Sequence, residues 1–188
     1  MNIFSSLISL DLKTAEYIVS LRGVFFNYFF FLITWLGSWQ VIFGLLILIS
    51  LIFILYKKKE LIFPLIVSIL GSGIMVLIIK YIVNRARPGG DIALYTEQLA
   101  SFPSSHAALI FILFSFLIYC SWRLHFRFNF KISLIIKIIA TLVFGSVILL
   151  VGFSRLYLGV HFLSDVLAGY LTGLLWLLIA IYISKEKF

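Results

Sequence analysis

Three short stretches of this 188-residue chain hold side chains that chemistry can use: KYIVNRARP (Lys80 to Pro88), FPSSHAA (Phe102 to Ala108) and SRLYLGVHFLSD (Ser154 to Asp165). In the last, His161 and Asp165 are four residues apart, so on a helix beginning at His161 they share one face. A carboxylate at that spacing accepts from one imidazole nitrogen, fixes the tautomer and leaves the other nitrogen free for acid–base or nucleophilic work. In the second, a proline followed by Ser104 and Ser105 and then an apolar run is a helix-start signal, with either serine as N-cap. Free N–H groups at a helix start favour an anion, and His106 falls in that first turn. In the first, Lys80 and Arg87 are seven apart, which returns to nearly the same helix face after two turns. Pro88 then closes the helix. With Arg155 added, these are cations, two histidines and one carboxylate. Such a set suits an anion, and phosphate matches it best, because arginine forks pair with its oxygens and a lysine supplies a point charge. The same cations stabilise charge spread over the equatorial oxygens in phosphoryl transfer.

The elements that must position these groups are membrane helices. The chain is 63% hydrophobic, 18% aromatic and 12% charged, with mean hydropathy +1.19. An ordinary soluble domain is about 45–50% apolar and about a quarter charged, so the solvent here is the lipid bilayer. The expected fold is all-α: a polytopic membrane bundle of five to six helices forming one domain over residues 1–188. Segments near 39–56, 61–83, 104–121, 132–153 and 161–183 are long and apolar enough to span. The connections YKKKE and SWRLHFRFNFK and the tail SKEKF are basic and fall on one side, which the positive-inside tendency makes cytoplasmic. The three chemistry-bearing stretches then share the opposite, extracytoplasmic face, and the C-terminus is cytoplasmic. Residues 1–38 carry Asp11, Lys13, Glu16 and Arg22, which sum to zero charge. They are expected as an interfacial or re-entrant segment, with a sixth span near 24–37 as the competing reading. The net charge of +8 is assigned to topology and not to nucleic acid. A lone Cys120 excludes an internal disulfide, and the first ten residues lack the basic start of a cleavable signal peptide.

Taken in order, K-x6-RP (Lys80, Arg87, Pro88), PSxH (Pro103, Ser104, His106) and SR-x5-H-x3-D (Ser154, Arg155, His161, Asp165) resemble the type 2 phosphatidic-acid phosphatase superfamily. The similarity is to its membrane lipid-phosphatase branch, with its phosphatidylglycerophosphatase B-like and undecaprenyl pyrophosphate phosphatase-like members. That resemblance implies hydrolysis of a lipid phosphate or pyrophosphate through a phosphohistidine, without metal or cofactor. His161 would be the nucleophile, oriented by Asp165, and His106 would protonate the leaving oxygen and then help activate water. Lys80, Arg87 and Arg155 would hold the phosphate, assisted by Ser104, Ser105 and the helix-start amides. Ser105 stands where the family usually has glycine, and the family's usual first span is reduced to the 24–37 segment. Arg85 matches a commonly basic position without an assigned contact, and Asp91 and Glu97 are expected as solvated loop charges. Phosphatidylglycerol phosphate, phosphatidic acid, polyprenyl pyrophosphate and lipid A phosphates all remain candidate substrates. The alternatives are transfer of the phosphoryl group to an alcohol, or an anion transporter using the same cations. A metal site is disfavoured because the chain has three histidines, His106, His125 and His161, and no HExxH.

Overall fold

A helix ends where its backbone can no longer continue, and these ends decide where the polar stretches lie. The computed structural model describes residues 3–123 and 130–185, so His125 lies outside the described residues. Seven α-helices run through them: α1 (Ile3–Ser20), α2 (Val24–Trp35), α3 (Trp39–Leu55), α4 (Ile62–Val83), α5 (Ser105–Arg123), α6 (Phe130–Tyr157) and α7 (Leu163–Ser184). α4 tolerates Pro64 because it falls in the first turn, where an N–H has no intrahelical partner. The same helix stops at Asn84, whose φ of 43° turns the chain into the left-handed region. Arg87 is therefore off the helix, and the expected Lys80–Arg87 pair on one helical face does not form. α5 starts after Pro103 with Ser104 as N-cap, its Oγ accepting from the Ala107 N–H at 3.4 Å.

The helices α4, α5, α6 and α7 are each long and apolar enough to cross a membrane. α3, at 17 residues, is about 26 Å long, short of the roughly 30 Å hydrocarbon core. It meets the span criterion only together with α2, from which it is bent by 50°. The protein is thus a multi-pass, all-helical bundle with four full spans and one bent pair among its described residues. α5 is the central helix, packed on α7, α6 and α4. Its Ile110, Leu113 and Phe116 form one core with Ile42 and Leu46 of α3 and Leu65 of α4. The opposite faces carry exposed Ile74, Ile78, Leu142 and Leu171, as a lipid-facing surface requires.

Close contact between α7 and α5 is what brings the chain's distant polar stretches together. Gly169 and Gly173 are four apart on α7, and a Cβ on either would come within 2.6 Å of the Ser104 carbonyl or 2.9 Å of the Ala108 carbonyl. Small residues at that spacing let membrane helices approach backbone to backbone. The start of α5 is therefore pressed against the start of α7, and the Ser104 N–H donates to the Asp165 carbonyl at 2.9 Å.

Candidate active site

The site is built around the start of α7. Phe162 is the N-cap residue, and Asp165, third in the helix, turns back so that Oδ2 accepts from the Phe162 N–H at 2.9 Å. His161 lies just before the helix, which corrects the expectation of two residues on one helical face. The pair still lies close: His161 Nδ1 is 3.5 Å from Asp165 Oδ2, an approach that leaves this buried nitrogen without a formed hydrogen bond. The turn that delivers the histidine needs Gly159, whose φ of +70° would strain any other residue and whose missing Cβ leaves room for the Ile92 carbonyl. α6 runs four residues further than the expected 153, so Arg155 belongs to its last turn.

Asp165 is fully buried and held from several directions. Arg85 Nη1 donates to Oδ1 at 2.7 Å, and the Ser101 hydroxyl donates to Oδ2. Arg85 in turn reaches Asp11 of α1, Nη2 to Oδ2 at 2.8 Å. Asp11 also accepts from the Ser164 N–H at 2.9 Å and from its hydroxyl at 2.5 Å. A free N–H at the start of α7 thus meets a carboxylate brought by a distant helix.

On the other side of the imidazole, Arg87 Nη1 lies 3.2 Å from His161 Nε2. A guanidinium can only donate, so Nε2 presents its lone pair and the ring proton sits on Nδ1, facing Asp165. Burial pushes the His161 pKa down to about 4, with Asp165 pulling it up and Arg155 and Arg87 pushing it further down. The ring is neutral at physiological pH.

Arg87 and Arg155 together form an anion seat. Arg155 is completely buried, and its Nη1 donates to Thr34 Oγ1 at 2.6 Å and to the Tyr95 hydroxyl at 2.7 Å. Its Nη2 meets Glu97 Oε1, while Glu97 Oε2 lies 2.7 Å from Arg87 Nη2. Burial opposes ionisation of Glu97, but Arg155 and Arg87 outweigh it and hold its carboxyl at about 2. Glu97 is therefore not the solvated loop charge expected from sequence, whereas Asp91 is exposed. Beside this group a cavity of about 260 Å³ is lined by Phe31, Thr34, Tyr95 and His106, among others. His106 interacts electrostatically with Arg155, Glu97, His161 and Arg87.

Residues 61–188 match the PAP2 superfamily, a stretch containing all three polar motifs. The chain belongs to the PAP2 superfamily. Within it, 99 residues are 39% identical to phosphatidylglycerophosphatase B of Bacillus subtilis (strain 168), covering 52% of this chain and 45% of that protein. The match thus spans about half the length of that curated relative. The fold is similar to the crystal structure of a transmembrane PAP2-type phosphatidylglycerolphosphate phosphatase from Bacillus subtilis, with TM-score 0.85 and 26% identity over 96% of this chain and 87% of the other. It is also similar to Aquifex aeolicus LpxE, with TM-score 0.70 and 28% identity over 92% and 95% of the two chains.

Of the PAP2 motif residues, Arg87, Arg155, His106, His161 and Asp165 gather around the seat and the imidazole, while Lys80 and Ser104 bond to backbone groups. Lys80 Nζ donates to the carbonyls of Ala100 at 2.5 Å and Ser101 at 3.2 Å, tying down the loop, and it interacts electrostatically with Arg87, Glu97, Asp165 and Arg155. Ser104 is buried as the cap of α5. Ser105 lines an apolar groove of about 410 Å³ bounded by Trp39, Phe43, Leu77, Leu99 and Leu109. Sequence reasoning missed Asp11, Thr34, Tyr95, Glu97 and Ser101. None of them has a local pattern that marks it, because each is recruited by packing across a long separation.

Proposed function

We propose that this PAP2 protein is an integral-membrane, metal-independent lipid phosphatase that hydrolyses a phosphomonoester or pyrophosphate headgroup through a phosphohistidine. The observation that carries the reading is the double reach of Arg87. One nitrogen lies against His161 Nε2 and the other against an anion shared with Arg155. A phosphate in that seat has its phosphorus next to the imidazole lone pair.

His161 Nε2 then bonds to phosphorus as the bond to the lipid oxygen breaks, and His106 gives that oxygen a proton. Asp165 stabilises the positive charge that develops at Nδ1–H. In the second step His106 takes a proton from water, the hydroxide attacks phosphorus, and the N–P bond breaks to release phosphate and restore the lone pair. Arg87 and Arg155 supply fixed donors for the charge on the equatorial oxygens throughout.

Two features support a lipid substrate. The apolar groove between α3, α4 and α5 has Ser105, one residue from His106, in its lining, which supports an acyl or prenyl chain lying in it while the phosphate enters the seat. The site also lies where helices leave the bundle, at the opposite end of α4 from the basic turn Lys57–Lys59. With the positive-inside tendency, this supports a site on the extracytoplasmic face and a cytoplasmic C-terminus.

The test is phosphate release by purified protein from lipid phosphates and pyrophosphates, against short soluble esters, with chelator present and vanadate as inhibitor. Lipid esters should react faster, chelator should leave the rate intact and vanadate should suppress it. Equal rates on short esters would remove the lipid reading. Loss of activity with chelator, restored by zinc or magnesium, would remove the metal-independent one.

A further inference from the structure

The anion seat is filled by a side chain of the same chain. Glu97 presents one oxygen to Arg87 at 2.7 Å and the other to Arg155, and Oε1 also accepts from the Tyr95 hydroxyl at 3.1 Å. Two guanidiniums and a phenol around one carboxylate make the donor set that a tetrahedral oxyanion would take. Arg155 is fully buried, and a buried cation without a counter-charge is strongly destabilising. An empty seat therefore needs a resident anion.

The backbone around Glu97 is arranged so that this anion can leave. The connection is pinned on one side by the Leu94 N–H donating to the Leu158 carbonyl at 2.9 Å. On the other side it is pinned by Arg87 Nε donating to the Leu99 carbonyl at 2.8 Å and by Lys80 on Ala100 and Ser101. Between those pins, residues 95–98 have no regular secondary structure, and Tyr95 and Glu97 are directed at the arginines. The Glu97 side chain is 25% exposed, so it stands on the solvent side of a guanidinium that is not exposed at all.

Resting on the reading of this site as a phosphate seat, we propose that Glu97 is a resident competitor that every substrate must displace, and that this exchange sets charge selectivity. A phosphomonoester or pyrophosphate brings more than one negative charge and three free oxygens, so it replaces a carboxylate at a profit in electrostatic energy. A phosphodiester brings one charge and two free oxygens and gains nothing over Glu97. The enzyme thereby avoids being occupied by the singly charged phosphodiester lipids that surround it. Glu97 cannot be relieved by protonation, since it is ionised throughout the physiological range.

The experiment compares vanadate and inorganic phosphate affinity in the wild type, Glu97→Gln and Arg155→Lys, with a soluble phosphodiester as a competing inhibitor. Glu97→Gln should bind vanadate roughly tenfold more tightly, because the fraction of protein with an open seat rises. It should also become more sensitive to the diester. Arg155→Lys should bind vanadate more weakly. If Arg155→Lys binds vanadate as well as wild type, the phosphate seat itself is wrong and the proposal falls with it. If Arg155→Lys weakens binding but Glu97→Gln fails to strengthen it, only the exchange is wrong. A measurement on the wild type needs no substitution: vanadate should speed amide hydrogen exchange at residues 95–98 as Glu97 is expelled. Slower exchange there would overturn the proposal.

Discussion

His161 has an arginine–carboxylate pair on each side, and the two pairs are built differently. On the Nδ1 side, Asp165 sits within the first turn of α7, and Arg85 bridges it to Asp11 of α1. Every acid in that pair belongs to a helix, and each carboxylate accepts from a backbone N–H as well. On the Nε2 side, Arg87 and Arg155 share Glu97, which stands on an irregular loop and accepts only from side chains among the described contacts. The chemistry is the same in both places. What differs is the backbone that carries the acid: a helix start holds its carboxylate in one position, whereas a loop can surrender its own. In the proposed mechanism one side keeps the imidazole oriented, and the other keeps a place for phosphate.

The comparison breaks most sharply at the histidine itself. His161→Ala should abolish turnover and any acid-labile phosphoprotein intermediate, as measured by trapping with labelled lipid phosphate. An active His161→Ala protein would end the assignment. Next comes the fixed side. Asp165→Asn should retain the fold and lower kcat by roughly 10⁴-fold, the scale seen when an orienting carboxylate is made neutral. Full activity in that variant would mean the 3.5 Å approach of Asp165 to Nδ1 does not matter.

The exchangeable side should lose less. Arg155→Lys keeps the charge but loses the fork that meets Thr34, Tyr95 and Glu97 at once. Charge-assisted hydrogen bonds are worth about 1.5–3 kcal/mol, so kcat/KM should fall by about 10- to 150-fold. A smaller change would place the phosphate elsewhere.

Much of this site could be read from the chain before its fold was known, and the rest could not, for a physical reason. The spans follow from local apolar runs, and the three motifs lie at their ends, so topology alone placed them in one layer. The i,i+4 spacing of His161 and Asp165 indicated a partnership, although the histidine proved to be before the helix and the aspartate its third residue, turned back onto the N–H of the Phe162 cap. Glu97 was misread because loop acids are usually solvated, and nothing near it in sequence announces two buried arginines. Asp11 lies 153 residues from the Ser164 it holds, and no local pattern carries such a distance. Gly169 and Gly173 are different: their four-residue spacing was visible in GYLTG, and it marks the close α7–α5 contact that sets the whole geometry.

A titration sharpens the contrast between the two sides. Burial is the main reason the His161 pKa lies near 4, and Arg155 and Arg87 add to the depression while Asp165 opposes it. Since a depressed imidazole pKa means neutrality in the folded state, the proposed nucleophile would be available down to about pH 4 and lost as pH falls through that value. In the unfolded chain the same group charges below about 6.5, so folding is progressively disfavoured as pH drops from 6.5 towards 4. Histidine NMR in micelles should show the His161 ring unprotonated at pH 5.5. A midpoint near 6.5 would mean that the ring is more solvated than the structure places it.

The smallest effect should come from the most remote member of the fixed side. In Asp11→Asn the amide oxygen still accepts from the Ser164 N–H, but Arg85 loses its second carboxylate. Exchanging a charge-assisted hydrogen bond for a neutral one costs roughly 1 kcal/mol, about 2–4 °C in Tm for a chain of this size. Arg85 then directs its full charge at Asp165, which weakens the hold of Asp165 on the Nδ1 proton. kcat should fall by up to roughly tenfold, the equivalent of about one pKa unit at His161, while KM stays constant because the phosphate seat is untouched. A purely structural role for Asp11 would lower Tm and leave kcat and the His161 titration alone. A double-mutant cycle with Arg85→Gln separates the two readings, since residues in one hydrogen-bond network couple by more than about 0.5 kcal/mol. Coupling near zero in kcat would show that α1 is only packed beside the site and does not help to align it.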